Sequence, residues 1–218
     1  MSKTLKSLSV VSIACALVSA SSSCRTAALD QAPPIVQPGA PGEASRIIDK
    51  EAAARIEHPA HTAADVRFMQ GMIGHHRQAV EMTDLLESRT NSEGMRKLAE
   101  RIEVSQIDEI RMMSDWLAAR GAQLPAEHAH HDPAMRMPGM LTQEEMARLA
   151  AAKGPAFDKL FLESMIRHHQ GALVMVRELF ATPGAGQESD IHAFASDVEA
   201  DQKMEIARMA AMLKELER

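Results

Sequence analysis

Residues 68–82, FMQGMIGHHRQAVEM, return as residues 161–175, FLESMIRHHQGALVM. Phe68, Met72, His75, His76, Ala79 and Met82 recur 93 residues later as Phe161, Met165, His168, His169, Ala172 and Met175. The copies continue downstream. Gln106, Glu109, Ile110, Met113 and Leu117 of SQIDEIRMMSDWL reappear as Gln202, Glu205, Ile206, Met209 and Leu213 of DQKMEIARMAAML, 96 residues on. Such self-similarity marks a duplicated supersecondary unit, here a hairpin of two helices.

Composition favours helices. Aromatic residues make up 3% of the chain, Tyr is absent, and the apolar mass is Ala, Leu, Ile and sixteen Met. That palette does not suit a sheet built on Val, Tyr and Phe. Thr62, with Asp65 in the first turn, predicts the start of a long helix running to Arg89. Asn91 and Ser92 make a turn, and a second helix runs from Glu93 to Arg120, where Gly121 stops it and Pro125 forbids its resumption. Thr142 and Glu145 form a capping box that opens a short helix over 142–152. Gly154 and Pro155 break it, a third long helix covers 156–181, and Pro183, Gly184 and Gly186 separate that from a last helix running from Glu188 to the C-terminus. Two antiparallel helix pairs joined by a long crossover give an all-α, ferritin-like four-helix bundle. The rival is a pair of hairpins that complete a bundle between chains, which leaves a homo-oligomer open.

The expected organisation is therefore an export signal over 1–24, a Pro-rich linker with a short helix over 25–61, and the duplicated bundle over 62–218. Lys3 and Lys6 precede an apolar run, Leu8 to Val18, too short to span a bilayer, which predicts export. Val18-Ser19-Ala20 offers a cleavage site. Cys24 follows Ser21-Ser22-Ser23 as in a bacterial lipoprotein box, although Ser21 stands where an apolar residue is usual. Periplasmic release and membrane anchoring through a lipid on Cys24 both stay open. Pro33, Pro34, Pro38 and Pro41 predict a tether without regular structure, and residues 44–57 a short helix. Cys15 and Cys24 are the only cysteines, so the bundle has neither a disulfide nor a thiolate ligand. The formal charge is −6, two units more negative without Lys3 and Lys6, which argues against nucleic acid as a partner.

At about 100° per residue, Phe68, His75, His76, Ala79 and Met82 all fall within about 80° of Met72 on the helical wheel. Two adjacent imidazoles in each repeat therefore face or edge a hydrophobic interior. On the second helix Gln106, Glu109, Ile110, Met113 and Leu117 share one face in the same way. Buried histidines need partners. A polar layer in which His75 and His168 pair with Glu109 or Glu205 would hold the bundle in register. Four histidines at matched positions, each pair preceded by a Met, point further, to metal. Ferritin-like di-iron sites use Glu-x-x-His; here Met72-x-x-His75 and Met165-x-x-His168 put a thioether where the carboxylate would be. Thioether and imidazole favour Cu(I), with Cu(II) also accepted by imidazole. Met82 lies about 10.5 Å along the axis from His75, which puts it in another site or in the core. The crossover adds His128, His130 and His131, then Met135, Met137 and Met140 around Pro138 and Gly139, a cluster able to capture metal without a preset fold.

Met-Ile-x-His-His-x-x-Ala-x-x-Met in both halves, with Met-Pro-Gly-Met-Leu-Thr before the second, resembles the bacterial family called domain of unknown function 305, over residues 62 to 217. The resemblance implies a ferritin-like bundle, export, and kinship with copper-binding proteins linked to copper tolerance. It implies as ligands Met72, His75, His76 and Met82 in one half, Met165, His168, His169 and Met175 in the other, and Met135, Met137 and Met140 in the crossover. The expected function is that of an exported copper sequestration or transfer protein, not an enzyme, with a metal ion and copper-handling proteins as partners. A ferritin-like oxidase using Glu109 and Glu205, and a structural helical module without metal, are the alternatives.

Overall fold

The computed structural model describes residues 33–39, 42–56, 59–132, 134 and 136–216. The expected export signal, Cys24 and Met135 lie outside them. The chain divides into two compact units, Met1–Ile56 and Glu57–Arg218.

In the first unit β1 (Ile35–Gln37) and β2 (Arg46–Ile48) pair antiparallel, with Ile35 opposite Ile48 and Gln37 opposite Arg46. The structureless tether expected here is corrected by this ribbon. Its prolines flank the ladder instead of interrupting it, since Pro33 and Pro34 precede β1 and Pro38 follows it, positions where a missing N–H breaks no pairing. The expected helix over 44–57 shortens to α1 (Lys50–Ala54), capped by Asp49, which accepts from the Ala52 N–H at 2.6 Å.

The second unit contains α2 (Ala63–Asp84), α3 (Leu86–Arg89), α4 (Glu93–Ala119), a 3-10 turn (Ala129–His131), α5 (Gln143–Ala151), α6 (Gly154–Ala181) and α7 (Ser189–Leu216). Capping boxes at Thr62/Asp65 and Thr142/Glu145 start α2 and α5. Asp65 is fully buried and has a second task, accepting the Gly186 N–H at 2.7 Å, so the start of α2 is bonded to the turn between α6 and α7. The single helix expected up to Arg89 is interrupted at Leu85, which caps α2 before α3 continues. Pro155 does not precede α6 but sits in its first turn, where no partner for its missing N–H is required.

α4 packs on α2, α7 packs on α6, and the hairpins join through α2 against α6. The two copies thus form their bundle within one chain. Trp116 and Arg120 at the end of α4 tie it to the start of α7: Trp116 Nε1 donates to Glu188 at 3.1 Å, and the Arg120 guanidinium lies 4.1 Å over the indole ring while pairing with Glu188. Among the described residues no helix is long and apolar enough to cross a membrane.

The core is two apolar clusters rather than one. The first holds Met72, Met113 and Met175 among Phe68, Ile73, Trp116, Val176 and Phe194. The second holds Met82, Met165 and Met209 among Leu98, Ile102, Phe157 and Phe161. Exchanging each residue for its counterpart in the repeat converts one methionine trio into the other. The halves are therefore related by an approximate twofold axis, and the histidine pairs, buried between helices, lie where the two clusters meet.

Candidate metal centre

His75 and His168, counterparts in the repeat, meet across α2 and α6 with ring centroids 3.7 Å apart. His75 and His76 are 6.2 Å apart with planes at 56°, and His168 and His169 are 6.2 Å apart at 54°. All four rings are buried. His76 Nε2 lies 2.5 Å from Glu109 Oε2 on α4, and His169 Nε2 lies 2.6 Å from Glu205 Oε2 on α7.

Expected partners and observed partners differ in one respect. It is His76 and His169, not His75 and His168, that take the carboxylates. Adjacent helical residues stand about 100° apart, so each pair straddles the inward direction, one ring facing the opposite hairpin and the other facing the helix of its own hairpin. Met82, expected to belong elsewhere than His75, lies with Met165 in the second cluster, while Met72 lies with Met175 in the first. The two methionines expected together in each repeat thus fall in different clusters, each beside a methionine of the other repeat.

The crossover closes one side of this layer. Pro138 O accepts a bond from His75 Nε2 at 3.1 Å. Gln78 grips the Leu141 backbone in both directions, donating to its carbonyl at 3.0 Å and accepting its N–H at 2.7 Å. On α6 the segment lies against Gly171, where an added Cβ would stand 1.9 Å from Pro138 O. Gly139, with φ +78°, lies so close to the Arg167 and His168 carbonyls that it too has no room for a side chain. Met140 is buried, and its sulfur accepts the Met137 N–H at 3.2 Å. Met137 and Met175 both reach the surface of Gly71. A cavity of about 380 Å³ is lined by Gly71, Gly74, His130, Met137 and Met140 among others.

These bonds fix the imidazole tautomers. A carbonyl only accepts, so His75 carries its proton on Nε2 and presents a lone pair at Nδ1. Burial, then the neighbouring His76, lowers its pKa to about 3 against the opposing effect of the Pro138 bond. Burial and the nearby His75, His169 and His76 push His168 well below the usual imidazole range. His76 and His169 donate from Nε2 to carboxylates, so their neutral forms likewise present Nδ1 lone pairs. Burial raises the Glu109 pKa, but the hydrogen bond and charge of His76 and the Ser105 hydroxyl at 3.1 Å outweigh it and hold the carboxyl below its ordinary value. His75 Nδ1, His76 Nδ1, His168 Nε2 and His169 Nδ1 are all buried without a hydrogen-bond partner. Each ring of the layer thus keeps one buried nitrogen without a hydrogen-bond partner, and imidazole together with thioether is the donor chemistry that a soft or borderline cation takes.

The crossover histidines stand apart from this layer. His130 and His131 turn to Glu81 on α2, and His128 is exposed and stacks on His131 with centroids 5.4 Å apart. The loop bearing them is held in place: Arg77 donates to the carbonyls of Pro125, Ala126 and Glu127, and Gln70 to that of Gln123. The parts that Glu81, Gln78, the Pro138 carbonyl and Gly171 play have almost no signature in the sequence. A glycine in the middle of a long helix was the one available signal, because it marks close approach of another backbone.

The family profile of domain of unknown function 305 (DUF305) matches residues 65–213. A DUF305 fragment from Deinococcus radiodurans is 32% identical, covers 72% of this chain and 99% of its own, and superposes with a TM-score of 0.62. A DUF305 protein of Streptomyces coelicolor is 30% identical over 70% of this chain and 93% of its own, with a TM-score of 0.61. CopM in its Cu(II)-bound form is 26% identical over 69% of this chain and 96% of its own, with a TM-score of 0.58, and structures of CopM with Cu(I) and with silver are also similar. No curated protein matches. Both Met-Ile-x-His-His repeats fall inside the matched segment, and this chain belongs to the DUF305 family.

Proposed function

We propose that the protein binds copper at the His75–His76–His168–His169 layer, as an exported sequestration or transfer protein acting in copper tolerance, and that it does so without catalytic turnover. The supporting observation is the buried layer itself, in which every imidazole has a nitrogen without a partner. The relatives support copper as the metal, since CopM holds Cu(I), Cu(II) and silver.

Each group has a role in that reading. The unpartnered imidazole nitrogens supply ligands, and Met72 and Met175 on one side, with Met82 and Met165 on the other, supply thioether, which favours Cu(I). Met137 and Met140 line the cavity at Gly71, on the crossover that bonds His75. Glu109 and Glu205 hold His76 and His169 in the ligating tautomer, as outer partners do at metal sites. That use of both carboxylates, on the far ring nitrogen, weighs against an oxidase in which they bridge metals. Copper-handling proteins would be the partners that load or empty the site, and release into the periplasm or a lipid on Cys24 would place it outside the cytoplasm.

The test is an anaerobic titration with Cu(I) against a competing chelator, on the full chain and on His75→Asn with His168→Asn. Binding is expected to weaken by about a hundredfold or more in the double variant. Unchanged Cu(I) affinity in a variant with native circular dichroism would overturn the reading and leave the histidines as a structural layer.

A further inference from the structure

We infer that Glu81, His130 and His131 form a second metal site, separate from the buried layer and built for Cu(II). His130 Nε2 and His131 Nε2 lie 2.9 and 2.8 Å from the same oxygen, Glu81 Oε1. One ligand atom from each residue falls within 4.8 Å of the other two. None is a thioether. Two imidazoles and a carboxylate make a borderline-to-hard donor set, which selects a divalent ion over Cu(I).

Among first-row divalent ions, nitrogen and oxygen donors hold Cu(II) most tightly. Both imidazole nitrogens already converge on one carboxylate oxygen, and Cu(II) held by these three groups keeps further coordination positions. The remaining positions face a cavity of about 410 Å³, lined also by Gln78, Asp132 and Gln143, and are open to water or an exchanging ligand.

The site is preorganised. The side chain of His130 is only 3% exposed and packs on α2 at Gly74, whereas that of His131 is 45% exposed. Gln143 donates to the His131 carbonyl at 3.4 Å, and Arg77, one helical turn before Glu81, holds the preceding loop through three carbonyls. A surface chelate with open coordination positions captures and releases ions more readily than a buried layer. His130 also lines the cavity that Met137 and Met140 share, so the two chemistries adjoin. The inference does not depend on what the buried layer binds.

The test is a Cu(II) titration of the full chain followed by electron paramagnetic resonance, with Glu81→Gln, His131→Ala, His128→Ala and the His75→Asn, His168→Asn pair alongside. Wild type should give a tetragonal signal with coupling to two nitrogens. Glu81→Gln and His131→Ala should each weaken Cu(II) binding by about tenfold or more and leave Cu(I) affinity unchanged. His128→Ala and the layer double variant should retain the signal. His131 is half exposed, so its loss leaves the fold intact. A Cu(II) affinity and spectrum unaltered in the Glu81→Gln and His131→Ala variants would overturn the assignment. So would a loss on His128→Ala as large as on His131→Ala, because a loop that binds with any of its histidines is not this site.

Discussion

Gly171→Ala separates the effect of helix propensity from that of the crossover. In the interior of a helix that substitution normally stabilises by about 1 kcal/mol. Here the added Cβ would stand 1.9 Å from Pro138 O and 2.8 Å from Gly139 Cα, both backbone atoms that cannot rotate away. The crossover must lift off α6, at an overpacking cost of about 1–3 kcal/mol. Lifting it removes Pro138 from His75 Nε2 and leaves a buried donor unpaired, for a further 1–3 kcal/mol or so. Set against the propensity gain, the net loss is about 1–5 kcal/mol. Urea unfolding followed by circular dichroism at 222 nm reads this as a lower midpoint with an unchanged slope. Gly94→Ala in the first turn of α4 is the control, because its Cβ would meet only side-chain atoms at 3.7 and 3.9 Å; it should be neutral or slightly stabilising. A Gly171→Ala protein as stable as wild type would refute the close docking of the crossover on α6.

The buried layer makes the metal-free protein sensitive to mild acid. His75 is neutral in the fold down to about pH 3 and His168 well below its usual range, so both take up protons only on unfolding, and stability is full above about pH 6.5 and falls as pH drops below it. His75 alone should remove about 2 kcal/mol between pH 7 and pH 5, read from urea midpoints at the two values; a His75→Asn variant should lose that part of the dependence. Glu109→Gln, which leaves His76 facing a neutral amide, should weaken copper binding by about 10–100-fold, measured by chelator competition. His75→Asn and His168→Asn should be non-additive in metal-free stability, with a coupling of about 0.5–3 kcal/mol in a double-mutant cycle, because their rings are in contact.

Much of this arrangement was legible in the chain. The duplicated motif, the capping boxes at Thr62 and Thr142 and the breaks at Gly121 and Gly184 bound the four long helices, and the wheel places all four histidines inward. Helical periodicity reports which face is buried but not what lies opposite. Hence periodicity leaves His75 and His168 as candidate partners of the carboxylates, whereas Glu109 and Glu205 reach His76 and His169. Propensity also failed where backbone meets backbone. Nothing local to Pro138 or Leu141 says that α2 will grip it, and the only trace on α6 is a glycine. The short β1–β2 ribbon escaped for a different reason, since prolines that end a strand look the same in composition as prolines that forbid one.

Duplication itself carried information that periodicity did not. When two copies of a hairpin pack about a twofold axis, a residue near the axis must meet its own counterpart. His75 therefore meets His168, and Met72 shares a cluster with Met175 rather than with Met165. The site then belongs to neither half, because each copy contributes two of its four imidazoles and half of the flanking thioethers. The crossover is the one element that symmetry cannot repeat. It bonds His75 through Pro138, and Ser105, which donates to Glu109, has as its counterpart Asp201, a carboxyl whose pKa is raised by burial and by Glu109 and Glu205. Two equivalent half-sites are thereby made unequal. One side of the layer is covered by the crossover backbone, and the other lies toward the carboxylates of α4 and α7, so a bound cation would meet different surroundings on its two sides.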